Sequence, residues 1–421
     1  MKNGYVKRKL EDTILKYLKT PEIIAVVGPR QSGKTTMLRR LYESLKRAVF
    51  LSFEDKKILD LFEKETDDFI SLYVKNNDYV FIDEFQYAKT GGKILKYIYD
   101  LAPKAKIIIS GSSAIDLTVR ALKHLVGRIF IFTLYPFDFE EFLSFRDQQY
   151  FNLYQKLKIN IMQSDLPRNF SLGENVRQTL AEYYQEYAIF GGYPRAVTAS
   201  ANEEKIEVLK NIYNTYFLRE VKDMAGLADD YKLANLIKAL ALQIGNLIEY
   251  QELSRLSEFS YPTLKKYLNF LDKTFICQTL RPFHGNKRNE IVKNPKVFFL
   301  DCGLRNYIVN DFRKIGERTD AGALLENTAF AQFIKQNIND LRFWRTKQKA
   351  EVDFVVTPPA RSPRAVEIKK RVNKRDSLAP SLRQFQKAMP QSDAVCLYYE
   401  GDAPVADTGS NNYFFPLFLA A

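Results

Sequence analysis

The chain has 421 residues, a length for two to four domains, and its 46% hydrophobic and 14% aromatic content suffices for packed cores and argues against disorder. The formal net charge of +13 suits a polyanionic partner such as nucleic acid, with a solvated basic surface as the plain alternative. No apolar run approaches the ~20 residues of a membrane-spanning helix, and the charged start Met1–Tyr5 lacks an apolar signal core, so a cytoplasmic protein without a membrane partner is expected.

Residues 6–19 read as an amphipathic helix leading into a sheet. Ile23–Val27 is an apolar, β-branched run of the kind that forms a buried strand. It runs into Gly28-Pro29-Arg30-Gln31-Ser32-Gly33-Lys34-Thr35, a complete phosphate-loop pattern, and Met37, Leu38, Leu41 and Leu45 then follow at helical spacing. The glycines let backbone N–H groups turn toward a phosphate chain, and the helix N-terminus adds partial positive charge. In such a loop residues 28–36, Thr36 included, cradle ATP, Lys34 reaches the β- and γ-phosphates, and Thr35 ligates Mg²⁺.

Ala48–Phe53 reads as a second strand and residues 56–76 as helical. Tyr79–Glu84 is an apolar strand ending in two carboxylates, where ligands of a parallel sheet bind. Asp83 is expected to hold Mg²⁺ through water and Glu84 to polarise the attacking water. A helix is expected over Lys93–Leu101 and a strand over Lys106–Ile109, which ends in Ser110-Gly111-Ser112-Ser113; the Ser110 hydroxyl is a candidate sensor of the γ-phosphate, with a plain turn as the alternative. Arg120 and Arg128 come next, and an arginine here can stabilise transition-state charge in cis or from a neighbouring subunit. The strand Ile129–Phe132 and the segment Leu134–Phe142, with Asp138 capping a helix, complete an alternating α/β pattern that predicts a doubly wound parallel sheet over residues 1–150.

Periodicity is lost around Ser164–Asn169, so 151–177 reads as a linker or long loop. Residues 178–240 are mostly helical, interrupted at Phe190-Gly191-Gly192-Tyr193-Pro194 by a helix stop and turn, and 151–240 is expected to be a helical lid or linker. In 241–312, helices at 247–256 and 263–271 flank the turn Phe259–Pro262, and strands at 276–281 and 296–300 enclose the basic stretch His284–Arg288. This is a winged helix-turn-helix pattern in which Lys265, Lys266, Lys287 and Arg288 would meet DNA, with protein docking as the alternative use. In 313–421, a helix over Gly322–Ile334 carries Glu326, and strands at 343–346, 350–356 and 364–369 carry Asp353, Glu367 and Lys369. Glu326, Asp353 and Glu367 are candidate ligands of a second divalent metal, with Lys369 on the face of Glu367 to position water; outward-facing charges on a half-exposed strand are the alternative. Only His124 and His284 are present, which argues against zinc and histidine-based nucleophilic chemistry. Cys277, Cys302 and Cys396 are widely spaced and read as reduced, buried small hydrophobes.

Gly28–Thr36, Phe81-Ile82-Asp83-Glu84, Ser110–Ser113, Gly127-Arg128 and Pro136–Phe142 together resemble a prokaryotic family of P-loop ATPases in the extended AAA superfamily. Phe190–Pro194, Glu351-Val352-Asp353-Phe354 and Glu367-x-Lys369 fit that family's C-terminal half, which is similar to the PD-(D/E)XK nuclease superfamily, although Val352 stands where that motif has proline. The resemblance covers nearly the whole chain. It implies an Mg²⁺-dependent ATPase with a winged helix and a nuclease-like α/β domain, acting on or docked to DNA, with a protein partner or self-association as further options. The alternative is a nucleotide-dependent signalling switch or scaffold with slow turnover and an inactive nuclease-like domain.

Overall fold

The computed structural model describes residues 4–102, 104–111, 124–168, 171–215, 230–285, 288, 290, 293–338, 340–373, 378–401 and 411–420. The chain forms two compact units: Met1–Phe137 with Lys273–Phe275, and Asp138–Asp272 with Ile276–Ala421.

The first unit is built on five parallel strands, β1 (Ile23–Val27), β2 (Ala48–Ser52), β3 (Tyr79–Asp83), β4 (Lys106–Gly111) and β5 (Ile129–Thr133), in the order β2-β3-β4-β1-β5. β1 lies between two neighbours, which is why it is apolar and buried at every position. Its side chains alternate between two cores, as a strand requires. Ile24 and Val26 pack with Met37, Leu38, Leu41 and Phe81, whereas Ile23, Ala25 and Val27 pack with Leu51, Val80, Ile82 and Ile109. Each such aliphatic side chain contributes about 1.5–3 kcal/mol of burial. Helix Lys34–Ser44 covers one face through Met37, Leu38 and Leu41. The helix expected over 56–76 is interrupted: helix Lys56–Lys64 is followed by a short turn, Thr66–Phe69, and a wider π-type turn, Ile70–Val74.

The second unit begins with helix Phe139–Arg146, which the sequence reading places in the first domain. Asp138 caps it, accepting from Glu141 N at 2.8 Å, as expected. Its aromatic face decides where it belongs: the Phe139 ring packs edge-on against Tyr154, Tyr184 and Tyr187 of the second unit. The segment 151–177 is also only partly a loop. Helix Gln148–Leu157 occupies its start, and Ile159 N donates to Leu419 O at 2.7 Å. Arg364, fully buried, donates to the carbonyls of Ile161 and Gln163 and to Asp393 Oδ2 (2.7 Å).

The long helix Glu174–Phe190 stops at Gly191, where φ is +74°, and helix Pro194–Thr198 follows. Tyr193, Leu209 and Ile212 from this region share one core with Ile237 and Leu240 of helix Asp230–Leu242, Leu253 of helix Tyr250–Ser257, Leu264 and Leu271 of helix Tyr261–Lys273, and Val297 and Phe299. The helical segment and the helix-turn-helix therefore form one packed body and not two. β6 (Cys277–Leu280) and β7 (Lys296–Phe299) make a two-stranded antiparallel ribbon. A second five-stranded sheet follows: β8 (Arg342–Arg345), β9 (Glu351–Val356), β10 (Arg364–Val372), β11 (Asp393–Gly401) and β12 (Asn412–Pro416), ordered β12-β11-β10-β9-β8. β9 is antiparallel to both its neighbours, and β10, β11 and β12 are parallel. Helices Ala321–Lys335 and Pro380–Ala388 accompany this sheet. All three cysteines are reduced and buried. Among the described residues no helix is long and apolar enough to cross a membrane.

Candidate functional site

The phosphate loop connects the end of β1 to helix Lys34–Ser44, with Gly33 as N-cap at φ +94°. Gly28 is required by space: a Cβ there would stand 2.2 Å from Leu134 O. Lys34 is buried, and its ammonium donates to the carbonyls of Gly28 and Pro29, both at 2.9 Å. Arg30, Gln31 and Thr36 are exposed. Ser32 is fully buried, and its hydroxyl has no hydrogen-bond partner. Arg8, which the sequence reading did not single out, fastens the loop from behind. Its Nη1 donates to Ser32 O and its Nη2 to Tyr135 O, each at 2.7 Å, and its guanidinium lies 4.7 Å from the Phe137 ring centre.

Thr35 Oγ1 donates to Asp83 Oδ2 at 2.7 Å, which ties the start of the helix to the end of β3. Ser110, at the end of β4 and in register with Val26, donates to the other Asp83 oxygen. Lys34, Thr35, Asp83 and Ser110 thus gather at the carboxyl ends of three neighbouring strands. Glu84 follows in a left-handed conformation (φ +54°), uncommon for a side-chain-bearing residue, and accepts from the Gln86 amide. Arg128 is not in this group. It precedes β5 and its carbonyl accepts from Ile23 N, so it sits at the opposite end of the sheet, beside Asp100 (3.6 Å) and the Tyr99 ring (5.8 Å). Five residues of strand, about 16 Å, separate it from the loop, so of the cis and trans roles the sequence leaves open this geometry does not favour the one in cis. Arg120, Ser112 and Ser113 lie outside the described residues.

The second unit holds the carboxylates singled out near the C-terminus. Of these, Glu326 and Asp353 act on Lys296, the first residue of β7, whose side chain is 2% exposed, and Glu351 joins them. Its Nζ stands 2.9 Å from Glu326 Oε1 and 2.6 Å from Glu351 Oε1. Burial works against the charge on Lys296, but Glu326, Asp353 and Glu351 outweigh it and raise the ammonium's pKa. One ammonium does not serve three carboxyls equally. Burial, with Asp353 nearby, pushes Glu326 up from the usual carboxylate range, and burial pushes Asp353 up as well. Asp353 Oδ2 accepts from Ile368 N at 2.7 Å, just past the point where the β9–β10 pairing ends at Phe354 and Val366. Glu367 is held by Ser381 and by Lys369.

Three regions of the chain match known family models: residues 20–143 an AAA domain, residues 181–318 a domain of unknown function (DUF8612), and residues 321–419 another (DUF4143). The N-terminal unit has the fold of an AAA-type P-loop ATPase. Over 346 residues the chain is 23% identical to an uncharacterized protein, MJ1544, of Methanocaldococcus jannaschii, covering 80% of this chain and 72% of that one. Over 395 residues it is 25% identical to an uncharacterized protein, Rv2008c, of Mycobacterium tuberculosis, covering 92% and 78%. Among solved structures, the Walker-type ATPase PABY2304 of Pyrococcus abyssi aligns over 72% of this chain and 96% of its own, at 16% identity and a TM-score of 0.47.

The ATPase-fold unit fits ATP and Mg²⁺ on its own geometry. A buried hydroxyl without a partner in the loop, a lysine resting on loop carbonyls and a Thr–Asp pair at strand ends form a donor set suited to an anion and a hard cation. The C-terminal set does not fit a metal in the same way: among the described residues no group of three or more His, Cys, Asp or Glu could hold one. Of the residues expected to meet DNA, Lys265 and Lys266 are exposed on helix Tyr261–Lys273 and Arg288 is exposed, while Lys287 lies outside the described residues. The Lys265 ammonium lies over the Tyr261 ring at 4.6 Å. Two groups escape a reading of the sequence. Arg8 sits in an ordinary amphipathic run, and Lys296 heads an apolar strand, where the available signal is a lone cation opening Lys-Val-Phe-Phe.

Proposed function

We propose that this chain binds ATP with Mg²⁺, hydrolyses it, and couples turnover to the binding of DNA. The observation that carries the reading is the meeting of Lys34, Thr35, Asp83 and Ser110 at the strand ends, with Glu84 next in sequence. Lys34 exchanges the carbonyls of Gly28 and Pro29 for phosphate oxygens. Thr35 and Asp83 hold Mg²⁺, which when bound neutralises charge developing on the phosphates. Glu84 orients water and accepts its proton, and Ser110 keeps Asp83 in place. The helix-turn-helix with its ribbon acts as a winged helix, with Lys265, Lys266, Lys287 and Arg288 directed to the DNA backbone; the net charge of +13 favours such a partner. At about 16 Å from its own loop, Arg128 acts on the nucleotide of a neighbouring copy or not at all.

Turnover measured with and without duplex DNA tests this reading and separates it from a slow nucleotide-dependent switch, whose rate DNA would leave unchanged. Glu84→Gln should keep ATP bound while turnover falls by about 10²-fold or more. Wild-type turnover in Glu84→Gln removes the catalytic assignment.

A further inference from the structure

We infer that Lys296 is the resident cation of the C-terminal carboxylate set, and that its ammonium, held between Glu326 and Glu351, takes the place a divalent metal would need there. Glu326, Asp353 and Glu367 are the residue types a hard cation requires, on a helix and two adjacent strands. Each is already engaged by this chain. Lys296 Nζ is within 2.9 Å of Glu326 and 2.6 Å of Glu351, and Arg345 joins Glu351 at 3.2 Å. Asp353 gives one oxygen to Ile368 N, in the gap left where β9 and β10 part. Glu367 is taken by Lys369 and Ser381.

Lys296 has little freedom to leave. Its backbone is held in β7, opposite Leu280 and Leu247, its side chain is almost fully buried, and the Phe343 ring lies 5.6 Å from its ammonium. Glu326 is closely confined as well, since a Cβ added at Gly245 would stand 2.9 Å from Glu326 Oε2. A doubly charged ion placed among these groups would have the ammonium as its neighbour, and like charges that close in a buried site exclude one another. The ribbon thereby ties the helix Ala321–Lys335 to the sheet without metal.

The test uses nucleotide-free, full-length protein and Mn²⁺. Trp344, the single tryptophan, lies in β8 beside the Arg345–Glu351 pair and reports on this region. In wild type, millimolar Mn²⁺ should neither quench Trp344 nor raise the unfolding temperature followed through it. Lys296→Met should be less stable, should bind Mn²⁺ at least about 10-fold tighter than wild type, and should recover stability on binding; Asp353→Asn in that background should remove the effect. Mn²⁺ stabilisation of wild type that Asp353→Asn abolishes would overturn the inference. So would a folded Lys296→Met that binds Mn²⁺ no better than wild type. If Lys296→Met does not fold, the wild-type and Asp353→Asn titrations decide alone.

Discussion

Removing the guanidinium of Arg8 is expected to loosen the phosphate loop from behind while leaving every residue of the loop intact. Arg8 makes two charged hydrogen bonds, to Ser32 O and Tyr135 O at 2.7 Å, and is only 4% exposed. A buried carbonyl left without its charged donor costs about 1.5–3 kcal/mol, and little where water replaces that donor. With water reaching one of the two carbonyls in Arg8→Met, about 3 kcal/mol of local stability should disappear. Because the chain folds as two units, a single global unfolding energy is the wrong measure. Hydrogen exchange followed by mass spectrometry over residues 28–36 reads the local term directly. At 1.36 kcal/mol per tenfold, the loop amides should exchange about 100-fold faster than in wild type. The second unit should be unaffected, and Arg8→Lys, which keeps one donor, should recover part of the protection. Loop exchange within about threefold of wild type in Arg8→Met would refute the argument.

Two other outcomes follow from the same geometry. Asp320 lies between Arg305 Nη1 (2.6 Å) and Arg318 Nε (2.8 Å); burial would raise its carboxyl, but hydrogen bonds from Arg318 and Arg305 prevail and hold it at about 2 against an ordinary 3.8. Its folded-state value is the lower one, so its contribution is present above 3.8 and disappears as pH falls through 2. The ceiling is about 2 kcal/mol, reduced by its partial exposure. Urea midpoints followed through Trp344 should therefore fall more between about pH 5 and about pH 2 in wild type than in Asp320→Asn; equal slopes would count against the pairing. For DNA, Lys265→Ala with Lys266→Ala should flatten the logarithmic salt dependence of binding by up to about 2, at roughly 0.9 for each phosphate no longer neutralised; an anisotropy titration with an unchanged slope would assign DNA binding to another surface.

Local rules made part of this molecule legible. The order of apolar strand, glycine-bearing loop and amphipathic helix at 23–45 could be read because every interaction that forms it is near in sequence. The same holds for the Asp138 cap and the Gly191 stop. Arg8 could not be read, since its partner Tyr135 is 127 residues away and no local pattern marks a residue for a distant carbonyl. Arg128 follows β4 in sequence, but strand register, which no local pattern shows, puts it at the end of the sheet away from its own phosphate loop. The carboxylates at 326, 353 and 367 were visible as residue types, whereas the lysine among them comes from a strand counted with another domain. Strands β11 and β12 carry no clear signal in the sequence, and the packing of helix Phe139–Arg146 with the second unit is not legible because its aromatic partners lie between 15 and 48 residues downstream.

The bond from Ile159 N to Leu419 O, with Arg364 clasping Ile161 and Gln163, has a consequence for biosynthesis. Leu417, Phe418 and Leu419 are core residues, so the stretch at 159–163 reaches its native surroundings only when residues 417–419 have been made. A ribosome adding about 5–20 residues per second needs roughly 13–50 s to travel from that stretch to its partner. The sheet of the first unit, complete by residue 133, can fold during this interval, but the second unit lacks the partner of Ile159 N until Leu419 has been added. Its nascent form is the point at which a chaperone, or premature termination within β12, would decide the fate of the whole chain.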